Sequence, residues 1–183
     1  MLETTVTMHE GDAKGTPRHA TRTAIGEGEA YWFFGSLAVI RSPEGARPIV
    51  IQTTLPPGGV APLHVHTELD DNIYVLSGRL AVRSGDRAFV LCAGDYVSEP
   101  AGVPQTLAVL DDTPAVILQI HAREDFLNFI REAGTPAADR TGPPKGQLDY
   151  EALYRSAAAT GQPVIGPPMS ADEVAAIVAA AEH

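Results

Sequence analysis

GGVAPLHVHTELDDNIYVLSG, residues Gly58 to Gly78, is the stretch that decides how this chain is read. Side chains two apart on an extended strand share a face, so His64 and His66 can grip one metal ion or one substrate between them. Gly58 lies six residues before His64, Glu68, Asp70 and Asp71 follow His66, and Gly78 comes seven after Asp71. The run NIYVLS predicts a strand over Asn72 to Ser77 that ends at the glycine.

Further strands flank this one. Ala30 to Arg41 (AYWFFGSLAVIR) is aromatic and β-branched, and predicts one strand broken or bulged at Gly35, with Trp32 and Phe34 in core packing. Residues 49–55, 80–83, 87–92, 94–97, 103–110 and 114–121 are short runs bounded by glycine, proline and aspartate, with Ser84-Gly85-Asp86 as a hairpin signal. After His121 the period changes from two to that of a helix. Phe126, Phe129 and Ile130 predict a helix over 123–133, and Tyr150, Leu153, Tyr154 and Ala157 form the apolar face of one over 148–159. Ser170 and Glu173 form a capping box that opens a third, running to Ala181. The expected organisation is an arm over 1–28, a β barrel over 29–122 and a helical tail over 123–183 packed on the barrel, together one domain.

The 183 residues suffice to bury a core without disulfides, and Cys92 is the only cysteine. Its place after AFVL predicts a small buried filler. The formal net charge is −10 with no basic run, which excludes phosphate backbones and anionic lipid as partners. The first residues lack a charged-then-apolar leader pattern, and the longest apolar run is too short to span a bilayer, so the expected location is cytoplasmic.

The spacing glycine, five residues, His-x-His, four residues, carboxylate, six residues, glycine resembles the first motif of the cupin superfamily, and Gly94, Pro100 and Gly102 in GDYVSEPAGVPQTL resemble the second. GEGEAYWFFG, DFLNFIREAG and VIGPP extend the resemblance to the quercetin 2,3-dioxygenase-like group of single-domain cupins. It implies a mainly β jelly-roll barrel with an interior ligand pocket and a homodimer. It also implies an oxygenase that uses a divalent transition metal (Fe, Ni, Mn or Co).

The family's four ligand positions fall on His64, His66, Asp71 and Gln105, with aspartate in place of glutamate and glutamine in place of histidine. Aspartate is shorter by one carbon–carbon bond, roughly 1.5 Å, and a neutral amide oxygen is a weaker ligand than imidazole for these ions. His121 ends the strand AVILQIH on the face of Gln119 and Ile117. The expected catalytic groups are His64, His66, Tyr74 and His121, and the expected substrate-binding groups are Gln52, Gln105, Gln119 and Tyr31, with Thr54 beside Gln52.

Three functions fit these residues: metal-dependent oxygenation or Lewis-acid rearrangement of a small apolar (aromatic or polyketide-like) metabolite, metal-free cyclisation, isomerisation or dehydration by histidine acid–base chemistry, and small-molecule binding without turnover.

Overall fold

A computed structural model describes residues 20–145 and 148–181. The predicted strand over Ala30 to Arg41 is instead a hairpin, β1 (Ala30–Phe33) and β2 (Ser36–Ile40). Its two-residue turn, Phe34 and Gly35, has φ of 49° and 79°, the left-handed pair that a tight hairpin turn requires. The usual Asn-Gly or Asp-Gly signal is missing, so the sequence reads as one strand interrupted at Gly35 and not as a hairpin.

The chain then forms β3 (Ile49–Leu55), β4 (Leu63–Val65), β5 (Asp71–Ser77), β6 (Leu80–Ser84) and β7 (Arg87–Leu91). Next come β8 (Tyr96–Glu99), β9 (Pro104–Val109) and β10 (Ala115–His121), then α1 (Asp125–Ala133), β11 (Thr135–Pro136), α2 (Tyr150–Ala159), β12 (Val164–Gly166) and α3 (Ala171–Ala181). One antiparallel sheet has the order β11-β1-β2-β3-β10-β5-β8 and the other β12-β4-β9-β6-β7. The barrel thus recruits two strands from the tail, where the sequence predicts only linker and helices.

The two sheets enclose an apolar core that includes Ile73, Val75, Leu80, Val82 and Ile117. Strand alternation explains it: β5 buries Asp71, Ile73 and Val75 and turns Asn72, Tyr74 and Leu76 outward. Gly78 sits between β5 and β6 at φ 81°, and a Cβ there would stand 2.8 Å from the Cα of Ala115, so the closing glycine of the first motif is a packing requirement.

A second core lies where α1 covers one end of the barrel. Phe126, Leu127, Phe129 and Ile130 meet Ile40, Ile49, Ile51 and Leu69 there, and Ala157 of α2 joins them. On α2 only Leu153 and Ala157 are buried; Tyr150 and Tyr154, expected on the same face, are exposed. Ser170 and Glu173 make the reciprocal capping box: the Ser170 N–H donates to the Glu173 carboxylate and the Glu173 N–H to the Ser170 hydroxyl. Cys92 falls just past β7 and is exposed, not buried. Among the described residues no helix is long and apolar enough to cross a membrane.

Candidate active site

β4 brings His64 and His66 to the inside of the barrel, where their ring centroids lie 5.1 Å apart. The two rings are held differently. His64 Nδ1 lies 2.8 Å from the Pro62 carbonyl oxygen. A carbonyl only accepts, so Nδ1 carries a proton, and in the neutral ring Nε2 is the lone-pair atom. His66 is buried and both of its ring nitrogens lack a hydrogen-bond partner. Its backbone carbonyl accepts the N–H of Gly102, which ties the glycine of the second motif to the histidine strand.

β5, β9 and β10 supply the facing groups. Asp71 is 3% exposed, and its Oδ2 accepts the Gln105 amide at 3.0 Å. His66 Nε2 and His121 Nε2 stand 3.6 Å from Oδ2 and Oδ1 of Asp71, beyond hydrogen-bond length. The His66 and His121 rings are stacked with centroids 6.2 Å apart, and Phe126 of α1 packs against both. Gln119 faces inward on β10 and accepts the Thr53 hydroxyl at 2.7 Å.

Glu99, at the end of β8, is the group that sequence reasoning misses. It is 2% exposed, lies opposite Asp71 in the β5–β8 register and has an Oε1 without a partner. Burial pushes its carboxyl up to about 8, Asp71 adds to this, and a Ser84 hydrogen bond opposes it. Burial also pushes His66 down to about 4, opposed by Asp71 and reinforced by His64 and His121. At neutral pH the site therefore holds a protonated carboxylic acid and a neutral imidazole.

Several expected groups lie elsewhere. Tyr74 is on the outer face of β5, 38% exposed. Gln52 is on the outer face of β3, where its amide oxygen accepts two N–H groups of Arg41; Thr54 shares that face, and Thr53 takes the inward place instead. The hydroxyl of Tyr31 donates to Glu29 at the surface, beside Arg131. Phe34 packs against the α1 core, as expected, and lines the cavity as well. His121 is fully buried behind Asp71 and Phe126 and does not itself line the cavity. Glu68 and Asp70, by contrast, are exposed as a solvated turn after His66 would have them.

The cavity above these groups is walled by Phe33, Phe34, Leu55, Ile117, Phe126 and Phe129, and among the described residues neither lysine nor arginine lines it. Antiparallel strands of two sheets closed around such a cavity define a double-stranded β-helix barrel.

A cupin domain lies within this chain. Residues 51–121 match the cupin domain family Cupin_2. Quercetin 2,3-dioxygenase of Bacillus subtilis (strain 168) is 33% identical over 84 residues, covering 44% of this chain and 25% of that protein. The chain thus spans about a quarter of the length of this curated relative. KdgF from Halomonas sp. superposes with a TM-score of 0.52 at 18% identity, over 60% of this chain and 99% of that one. An RmlC-like cupin from Shewanella frigidimarina gives 0.51 at 20%, over 59% and 96%. Both share the fold.

Quercetin 2,3-dioxygenase-like cupins are metal-dependent in general, and the positions to compare with such a site here are His64, His66, Asp71 and Gln105. His64, His66, Asp71 and Gln105 do lie in one pocket. They do not fit the ion as arranged: the Gln105 amide N–H occupies the Asp71 oxygen nearest His66, and a carboxylate that accepts this bond has one oxygen fewer to offer. Among the described residues no three His, Cys, Asp or Glu side chains form a group able to hold a metal.

Proposed function

We propose that the barrel is the active site of an enzyme that takes a small, uncharged, mainly apolar metabolite and rearranges it by proton transfer. One observation carries this reading. Six buried polar atoms on five residues (His66 Nδ1 and Nε2, Asp71 Oδ1, Glu99 Oε1, Gln105 Oε1 and His121 Nε2) have no hydrogen-bond partner. Buried polar groups are rarely left so, and each costs about 1–3 kcal/mol unpaired. Such a concentration beside an aromatic cavity points to a ligand that supplies the missing partners.

The chemistry of the walls narrows the ligand. Without lysine or arginine in the lining, a carboxylate or phosphate substrate would be buried without a counter-charge. A planar molecule with hydroxyl or carbonyl groups suits the phenylalanines and the polar end alike. His64 Nε2 takes a proton from a carbon or oxygen of the substrate, and Glu99, protonated at neutral pH, gives one to the substrate oxygen, which together move a double bond or close a ring. Gln105 and Gln119 orient the oxygen-bearing end.

A second reading, metal-dependent dioxygenation, is favoured by the name of the Bacillus subtilis relative. One comparison tests the first against it. The protein is titrated with quercetin, a neutral planar polyphenol, and with oxalate, a small dianion, and each mixture is then followed for product mass and for oxygen uptake. Saturable quercetin binding and any product isomeric with its substrate support proton transfer. Oxalate binding without quercetin binding, or oxygen consumed with its atoms incorporated into the products, overturns it.

A further inference from the structure

We propose that Phe34 is a gate residue, whose ring limits what passes from solvent to His66; this rests on the reading of the cavity as the ligand site. The turn between β1 and β2 requires positive φ at both central residues, a demand that Asn-Gly or Gly-Gly meets without strain. Phe34 meets it at φ 49°. A bulky L-residue is disfavoured in the left-handed region because its Cβ crowds the following carbonyl oxygen, and such outliers persist where the surroundings over-determine them.

Four aromatic rings neighbour the Phe34 ring. The Phe34 ring meets Phe33 edge-on at 4.8 Å between centroids and Phe129 at 6.2 Å, both of which line the cavity. On its other side it stacks on Tyr154 at 6.4 Å and lies 6.4 Å from Tyr150, two exposed side chains that do not line the cavity. Phe34 is therefore the ring that stands between the solvent-facing tyrosines of α2 and the interior. Its backbone strain serves a position, because any turn-favoured residue would leave that boundary open. The passage it guards is bordered by flat rings, which favours planar molecules entering edge-on.

Diethyl pyrocarbonate, which acylates accessible imidazole nitrogens, tests this without any turnover, so its failure would leave the proposed chemistry untouched. The rate of modification at His66 is followed by peptide mass spectrometry in the parent, in Phe34→Asn and in Tyr154→Ala. Phe34→Asn should speed modification of His66 at least tenfold with a melting temperature no lower than the parent's, since asparagine suits the turn. Tyr154→Ala, an exposed change to a good helix former, should speed it severalfold by freeing the ring. His121, buried outside the cavity lining, should keep its rate in both variants. A His66 rate within twofold of the parent in both variants overturns the proposal, as does equal acceleration at His66 and His121, which would mark general loosening.

Discussion

Asp71 and Glu99 face each other across β5 and β8, two carboxyl groups buried in one cavity that has neither lysine nor arginine in its lining. Cross-strand neighbours on one face have Cβ atoms about 4.5–5.5 Å apart, too close for two buried charges to coexist cheaply. Glu99, with its carboxyl raised to about 8, is the partner that keeps its proton.

Stability should therefore carry opposing pH dependences. Between about 4 and 6.5 the unfolded chain protonates His66 while the folded protein keeps it neutral, so this residue makes stability rise with pH. Between about 4.5 and 8 the unfolded chain releases the Glu99 proton that the folded protein retains, so this residue makes stability fall with pH. The two slopes offset each other up to about 6.5, and above that only the fall is left, by at most about 1.4 kcal/mol per pH unit for one proton. Urea denaturation from pH 4 to 9 should show Glu99→Gln abolishing the fall above 6.5, and His66→Gln exposing it from 4.5 upward. A parent and Glu99→Gln of parallel pH profile would refute the assignment.

Replacing Gln105 removes the amide that occupies Asp71. Gln105→His should raise affinity for Ni or Fe at least tenfold, because imidazole suits these ions better than an amide and Asp71 Oδ2 becomes free. Gln105→Leu, which leaves Asp71 Oδ2 without its donor, should lose about 1–3 kcal/mol of stability. Calorimetric titration with each metal checks the first expectation and chemical denaturation the second. Unchanged metal affinity in Gln105→His would place the obstacle in the backbone geometry of the cavity.

Proton transfer at the histidines predicts that His64→Ala and His66→Ala each lower turnover by about a hundredfold or more, while exhaustive chelation of the parent has no effect. Loss of activity on chelation, restored by one metal, would favour the dioxygenase reading.

The faces of β3 and β5 give a paired control. Thr53→Val removes the donor to Gln119 inside the barrel and should weaken substrate binding severalfold. Gln52→Ala and Tyr74→Phe alter outward positions and should leave turnover within twofold. Steady-state kinetics on the three variants checks both statements, and a tenfold loss in Tyr74→Phe would contradict the orientation of β5.

Much of the barrel was legible because its turns are written in glycine and proline at fixed spacing, and because the change of period after His121 is abrupt. The inward faces were harder. In β3, Ile49, Val50 and Ile51 are all apolar, so alternation has no phase until the sheet is assembled, and Gln52 and Thr53 exchange places with the expectation. Tyr74 sits in a run that is apolar on both faces and gives no more guidance. In β10 the phase was right for Gln119 and His121, because those polar groups alternate with Leu118 and Ile120. Glu99 escaped notice because the strand was expected to end at Val97; extending the alternation by one step, from Val97 to Glu99, would have found it. What no spacing rule conveys is that Gln105 bonds to Asp71, since that depends on β9 and β5 meeting across the barrel.

The histidine strand β4 is three residues long, and its two neighbours are β9, which pairs Gln105 with His64, and β12, which pairs Val164 with the same residue. The second partner lies about a hundred residues downstream. Closing loops of that length is slow and must precede the contacts that reward it. During synthesis the sheet that holds β3, β5 and β10 has all its strands on hand before β4 gains its last one. A nascent chain would thus fold its scaffold first and fasten His64 in place last, so that the reactive pocket matures as a separate, late event in the life of the molecule.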